Sequence, residues 1–251
     1  MGDGKEGVMM LFPTPFSPIP IQTLGDVSAI MIEITAAHIS GGTAYHTFFI
    51  VATAGCKVYW GDGASSTLSA GTNTCTHTYA GAGCYLIQIK GAHTRLYHGT
   101  GSTAAKVIEA VKLYSGVTSC ASSFRDCLNS KFKMGNGLRF HNGITDCLYA
   151  FLNSSIKRIA PGFTLPATCS NFYGMFQNDT ELESDISNII PEWPPGRTIT
   201  LSYAFFYAQK VTGTLPASKL WGRTDITWIP TQAFTSATHL TNYASIPAGW
   251  K

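Results

Sequence analysis

Apolar and polar positions change rhythm three times along the chain. Residues 8–12 (VMMLF) form a short apolar run, broken off by Pro13, Pro15, Pro18 and Pro20. Proline fixes φ and removes a backbone donor, so residues 1–25 are predicted to be an extended, proline-rich arm rather than a helix or a central strand. Such an arm either docks on its own domain or a neighbouring subunit, or stays a disordered tail. From Val27 to Thr35 (VSAIMIEIT) the positions alternate, Tyr45–Ala52 is aromatic and β-branched, and Cys56–Trp60 (CKVYW) runs into Gly61-Asp62-Gly63. Residues 76–91 (THTYAGAGCYLIQIKG) then set Tyr85, Ile87 and Ile89 on one face and Leu86 and Gln88 on the other. Alternation over short runs bounded by glycine turns predicts a small antiparallel β-sandwich over residues 26–93.

Beyond a connector and first strand of the next unit at 94–112, the rhythm becomes a long repeat over residues 113–251. The segments CASSF (120–124), CLYAF (147–151), FYGMF (172–176), LSYAF (201–205) and PTQAF (230–234) align, and each ends in phenylalanine. Phe124, Phe151, Phe176, Phe205 and Phe234 are therefore the predicted repeat core, spaced by 27, 25, 29 and 29 residues. Each segment is expected to form a short helical turn burying positions i and i+4. Apolar stops before proline follow at Leu165-Pro166, Ile190-Pro191, Leu215-Pro216 and Ile246-Pro247. One such unit cannot bury its own apolar face, so stacking in a row is what creates a core. Tyr243 and Trp250 either cap the open end of that stack or stand out as anchoring aromatics. The insert KFKMGNGLRFHNG (131–143) interrupts the first unit and is expected to project as a loop. The fold class expected is mainly β with short helices, a small sandwich followed by a repeat solenoid.

Two segments carry resemblances. YWGDG at 59–63 followed by THTYAGAGCYLIQIKG resembles the core of a polycystic-kidney-disease-type (PKD-like), immunoglobulin-like β-sandwich, although the acidic-aromatic pair usual before the GDG turn is missing. The resemblance implies that Trp60, Tyr79 and Tyr85 belong to the sandwich core, with Asp62 in the turn and His77 and Tyr79 opening the late hairpin. It implies a spacer or a module facing carbohydrate or protein, not an enzyme. Residues 113–251 resemble the BspA-like leucine-rich repeats, best at Tyr173-Gly174-Met175-Phe176-Gln177-Asn178-Asp179 with Leu182, though the repeats are divergent. Members of that family are cell-surface or phage-borne proteins that attach or recognise.

Charge changes the picture more than size does. Only 12% of the 251 residues are Asp, Glu, Lys or Arg, about half the usual share, while 45% are hydrophobic. Such a composition suits a protein whose surfaces are covered by neighbours. The net charge of +3 comes wholly from residues 113–251, and Lys131, Lys133 and Arg139 are its nearest approach to a cluster. A nucleic-acid groove needs a denser stripe. No run approaches the length of a membrane span, and the N-terminal segment lacks the pattern of a secretory signal. The seven cysteines, Cys56, Cys75, Cys84, Cys120, Cys127, Cys147 and Cys169, form no CxxC pair and match no zinc spacing. They are either a dry thiol core or bridges within or between subunits.

No hydrolase, kinase, zinc-protease or nucleotide-binding motif is present. Asp62 in its Gly-Asp-Gly turn is expected to accept its own backbone N–H, and His77 to pack on a strand. The one dense acidic group, Asp179, Glu181, Glu183 and Asp185, would serve glycoside hydrolysis only if a pair faced a groove at the required separation; otherwise it is a solvated edge. No catalytic residue, cofactor or metal is therefore expected. The favoured reading is a non-enzymatic bacteriophage virion protein, capsid-decorating or tail-associated, assembled in the host cytoplasm. Its partners would be other virion proteins through the arm and sandwich, further copies of itself, and a host surface glycan or protein, without nucleic acid or membrane insertion. The alternatives are a bacterial surface adhesin, extracellular or on the cell surface, and a divergent polysaccharide hydrolase.

Overall fold

The computed structural model describes residues 26–99 and 103–251, so the arm expected at 1–25 lies outside the described residues. Among the described residues the fold is mainly β, with one short α-helix and brief 3-10 turns. Two strands dominate the first part, β2 (Tyr45–Tyr59) and β5 (Gly83–Tyr97), each 15 residues long. The first half of β2 pairs with β4 (Gly71–Thr78) and with the second half of β5. Its second half pairs with β3 (Ser65–Leu68) and with Lys90, Ile89 and Gln88 of β5. The first half of β5 also pairs with β1 (Ser28–Ile34). The pairing of the two long strands changes register between Ala52 and Cys56 of β2, where Gly91 pairs with Cys56 and lies against the Gly55 carbonyl. Gly91 has φ +106°, and a Cβ there would lie 2.7 Å from the Gly55 carbonyl oxygen. Only glycine permits that backbone approach. The strands fold over at this point, and Phe48 of the first half meets Trp60, just past the second, at 5.6 Å between rings.

The boundaries expected at 93 and 112 do not hold. β5 runs through 94–97, because Leu96 continues the buried face beyond the bend. β6 (Val107–Lys112) is not a connector but pairs antiparallel with β1, completing the sheet. Apolar side chains of both parts belong to one continuous core, from Ile30 and Phe48 to Phe234 and Trp250.

The end of β5 starts a second pattern. Arg95, Ser119, Asp146, Asn171 and Thr200 pair in sequence as parallel bridges, and β8 (Thr198–Thr200) pairs with β9 (Thr227–Ile229). Successive coils of chain thus stack at the pace of the repeat. Within each coil the expected helical turn is absent, and two consecutive four-residue turns take its place. Ala150 N–H bonds the Cys147 carbonyl and Ser154 N–H the Phe151 carbonyl, with the third residue of each turn at positive φ (Tyr149 +53°, Asn153 +53°). The same pair of turns recurs with Gly174 and Asn178, with Tyr203 and Tyr207, and with Gln232 and Ser236 at positive φ. Two four-residue turns bury positions i and i+4 just as a helix would, so the spacing alone could not separate them. A left-handed conformation costs a non-glycine residue roughly 1–2 kcal/mol. The hydrogen bonds from coil to coil offset that cost: Tyr149 to Tyr173, Phe151 to Met175, Gly174 to Ser202, Phe176 to Ala204 and Phe205 to Ala233 all run N–H to carbonyl at 2.8–2.9 Å.

Phenylalanine fills the middle of every coil. Rings 124, 151, 176 and 205 follow one another at 5.2 Å, and Phe234 follows at 5.6 Å. Trp250 closes the column, parallel to Phe234 and buried, while its carbonyl accepts from Phe234 N–H at 2.8 Å. In the last coil the position whose N–H donates onward in earlier coils (Cys120, Cys147, Phe172, Leu201) is Pro230, which leaves no donor unpaired. The insert at 131–143 does not project: Phe132, Met134, Leu138 and Phe140 are buried, and β7 (Lys133–Met134) pairs parallel with β6. Its apolar residues recur every second position at 132/134 and 138/140, enough to anchor both of its ends.

Candidate interaction surface

The residues expected in the sandwich core and turn come together. Trp60 and Tyr79 are buried, and the Tyr79 hydroxyl donates to the Trp60 carbonyl at 3.0 Å. The indole of Trp60 donates to Ser66 Oγ at 2.9 Å, and Tyr85 packs on Tyr79 at 4.2 Å. Asp62 accepts from Ala64 N–H at 3.0 Å, as expected for such a turn, and also meets His77 Nε2 at 2.6 Å. Burial would raise the Asp62 carboxyl, but the hydrogen bonds from His77 and Ala64 outweigh it and hold it below its ordinary value. The His77 ring lies flat against Trp60 at 5.0 Å and edge-on to Tyr79 at 4.8 Å. The pair fastens the turn to the late hairpin.

Three further histidines are buried where sequence gave no sign of them. His93 Nε2 meets Ser28 Oγ at 2.8 Å, and its Nδ1 donates to the Gly91 carbonyl. Ser28 Oγ also accepts from Tyr114 N–H and is fully buried, so this serine–histidine pair braces β1 against β5 out of reach of a substrate. His46 and His98 meet at 5.7 Å between rings at the junction of sheet and stack. His98 Nδ1 donates to the Ser123 carbonyl and His46 Nδ1 meets Thr103 Oγ1, while both Nε2 atoms lack a partner. Burial pushes both rings toward the neutral form, His98 down to about 4.

All seven cysteines are unpaired thiols, and all but Cys84 are buried. Cys147 neighbours Cys120 and Cys169, and burial pushes its thiol well up, as it does for Cys127. Six of the seven thiols are thus buried, as a thiol core requires, while Cys84 is exposed. The acidic group does not converge. Asp179 is buried and accepts from Ser154 N–H (2.7 Å) and Oγ (3.0 Å), with burial raising its carboxyl well above the usual range. Glu181 and Glu183 are exposed and share Lys210, and Asp185 accepts from Ser187 N–H. Among the described residues no three His, Cys, Asp or Glu side chains are placed to hold a metal ion.

What the stack does build is a surface. Apart from the buried Ala121, Gly174 and Ser202, the two middle residues of each turn are at least partly exposed, which sets four outward columns on successive coils. The first coil contributes Arg125 and Asp126, paired at 3.3 Å. The next contributes Tyr149, with the Arg125 guanidinium 5.6 Å from its ring. Tyr173 follows edge-on at 5.3 Å, Tyr203 at 5.4 Å and Phe206 at a further 5.3 Å, and Tyr207, 44% exposed, touches Phe206 at 4.2 Å. Gly174 is needed beneath Tyr149, because a Cβ there would lie 2.6 Å from that ring. Asn153 donates to Asp126 across coils at 2.9 Å, and Asn178 continues its column. The last coil presents Thr231, Gln232, Thr235 and Ser236. These aromatics were legible only as letters beside the repeat core: Tyr149 and Tyr203 each stand two places before a core phenylalanine, a position that points inward from a strand and outward from these turns.

Comparison with protein-family models, with curated proteins and with solved structures finds no match.

Proposed function

We propose that this chain is a non-enzymatic structural component of a bacteriophage particle, decorating the capsid or the tail, with the outer face of its stack serving attachment. The observation that carries the reading is that face: an aromatic strip on a rigidly laddered backbone, tied through one core to a sandwich that can dock elsewhere. A surface of this kind recognises; it offers no nucleophile or base to a substrate. The low charged fraction supports a place among covering neighbours, and the apolar, proline-rich residues 8–20 suit a tie to another subunit. The resemblances at 59–91 and 113–251 point the same way by analogy. Read with them, the folded-over sheet is an immunoglobulin-like sandwich of the PKD type and the stack a leucine-rich-repeat-like solenoid. The partners are other virion proteins and further copies of the chain.

Mass spectrometry of purified phage particles from a culture carrying the gene tests this reading. A fixed copy number per particle is the expected result. Absence from particles, with the protein recovered from the cell envelope or medium, would overturn it in favour of a surface adhesin.

A further inference from the structure

The outer face of the stack holds chemistry that a purely structural role leaves unused. From Tyr149 to Tyr207 its aromatic rings touch in an unbroken series. Beside the rings, the side-chain amides of Gln177, Asn178 and Gln232 and the hydroxyls of Tyr203 and Tyr207 have no hydrogen-bond partner among the described residues. From the coil of Leu148 to the last coil the four outward columns contain no charged side chain. The one charged pair, Arg125 and Asp126 on the first coil, neutralises itself.

We infer that this strip binds an extended, uncharged polysaccharide lying along the stack; the inference rests on the attachment role proposed above and names its ligand. Sugar rings combine apolar C–H faces with hydroxyls at their edges, and the strip offers the complement of both, aromatic surface interleaved with free amides and phenols. The absence of charge selects against anionic polymers, which would need cations to replace their counterions. Size selects against a folded protein. Coils bonded like neighbouring strands advance about 4.8 Å each, so the strip from Arg125 to Thr235 is roughly 19 Å long. Only a few side chains wide, it falls short of the about 800 Å² that a standard protein interface covers on each partner. A few sugar units span it. The laddered backbone holds the rings in place beforehand, so little ordering opposes binding.

The test uses the full chain with cellohexaose, chitohexaose and maltohexaose as neutral probes and heparin as an anionic control, followed by saturation-transfer NMR and tyrosine fluorescence. At least one neutral hexasaccharide is expected to bind, with saturation passing from the tyrosine rings, and heparin is not. Tyr203→Asn and Tyr173→Ser should each weaken that binding about tenfold, the scale of one lost aromatic contact. Asparagine already occupies the same left-handed conformation at Asn153 and Asn178, so Tyr203→Asn keeps the backbone, and an unchanged thermal midpoint verifies it. Failure of all three neutral probes, binding untouched by both substitutions, or heparin binding as well as the neutral sugars would each overturn the inference. So would a folded protein partner found to cover the strip. Sugar binding and presence in particles are read separately: a chain that is in the particle but binds no sugar leaves the virion reading standing and removes this one, and the reverse result does the opposite.

Discussion

The folded-over sheet and the stack bury their apolar side chains by opposite means. In the folded-over sheet each contact is singular. β2 and β5 fold over where Gly91 lies against the Gly55 carbonyl, and one turn is fastened by the network of Trp60, Asp62, His77 and Tyr79. In the stack each contact is repeated. Five phenylalanines occupy equivalent places, and the hydrogen bonds between coils recur with the same donors and acceptors. A singular arrangement depends on particular residues, whereas a repeated one tolerates divergence at any outward position. That freedom lets the outer face carry tyrosines, even at left-handed positions such as Tyr149, Tyr203 and Tyr207.

The sharpest way to break the comparison is to empty the middle of the column. Phe176 is fully buried between Phe151 and Phe205, so Phe176→Ala should cost about 3–5 kcal/mol in urea denaturation. Because one core joins both parts, indole fluorescence and far-ultraviolet dichroism should fall in one shared transition. Two separated transitions would mean that sheet and stack fold independently.

Acid should act next most strongly, at the junction. The folded pKa of His98 is depressed to about 4 from an ordinary 6.5, because burial disfavours the charged ring, and His46 shifts the same way for the same reason. A depressed pKa contributes stability that is complete above pH 6.5 and lost as pH falls toward 4, about 3 kcal/mol for His98 alone. Asp179 works in the opposite sense, since its raised carboxyl favours the folded state at low pH. Denaturation midpoints at pH 7 and pH 4.5, compared between Asp179→Asn and Asp179→Asn with His98→Gln, therefore separate His98 from Asp179 and from the carboxylates that also weaken in acid, such as Asp62. A midpoint that rises on acidification would contradict neutral rings at the junction.

Gly91→Ala should cost about 2–3 kcal/mol, since positive φ and the contact with the Gly55 carbonyl add together. Gly63→Ala, with φ +96° and open space around it, should cost about 1 kcal/mol. Equal losses at the two sites would show that the fold-over does not rest on close approach. In the stack Tyr207→Asn should raise the midpoint slightly, by less than about 1 kcal/mol, because it relieves a left-handed aromatic that is already half in solvent. Smallest of all, Lys210→Ala removes an exposed ion pair with Glu181 and Glu183 and should leave the midpoint unchanged. A clear loss there would mark those carboxylates as more than a solvated edge.

The sequence by itself determined where alternation gives strands and that phenylalanine recurs at the centre of each coil. Those features follow from local period and apolar identity, which act over a few residues and leave their mark in the letters. Only the tertiary structure decided the rest. The i and i+4 positions of each segment are buried in a helix and in paired four-residue turns alike, and the hydrogen bonds to the next coil select the turns. The boundary at 93 looked real because the polar letters of HTRLYHG hide a strand that continues, and the first coil pairing with Arg95 extends it. The insert at 131–143 folds inward because β6 offers an edge that no local pattern announces. The outer strip was invisible for the same reason: which way Tyr149, Tyr173 and Tyr203 point is fixed by turns that exist only when coils stack, and stacking is a property of residues 25–29 places apart.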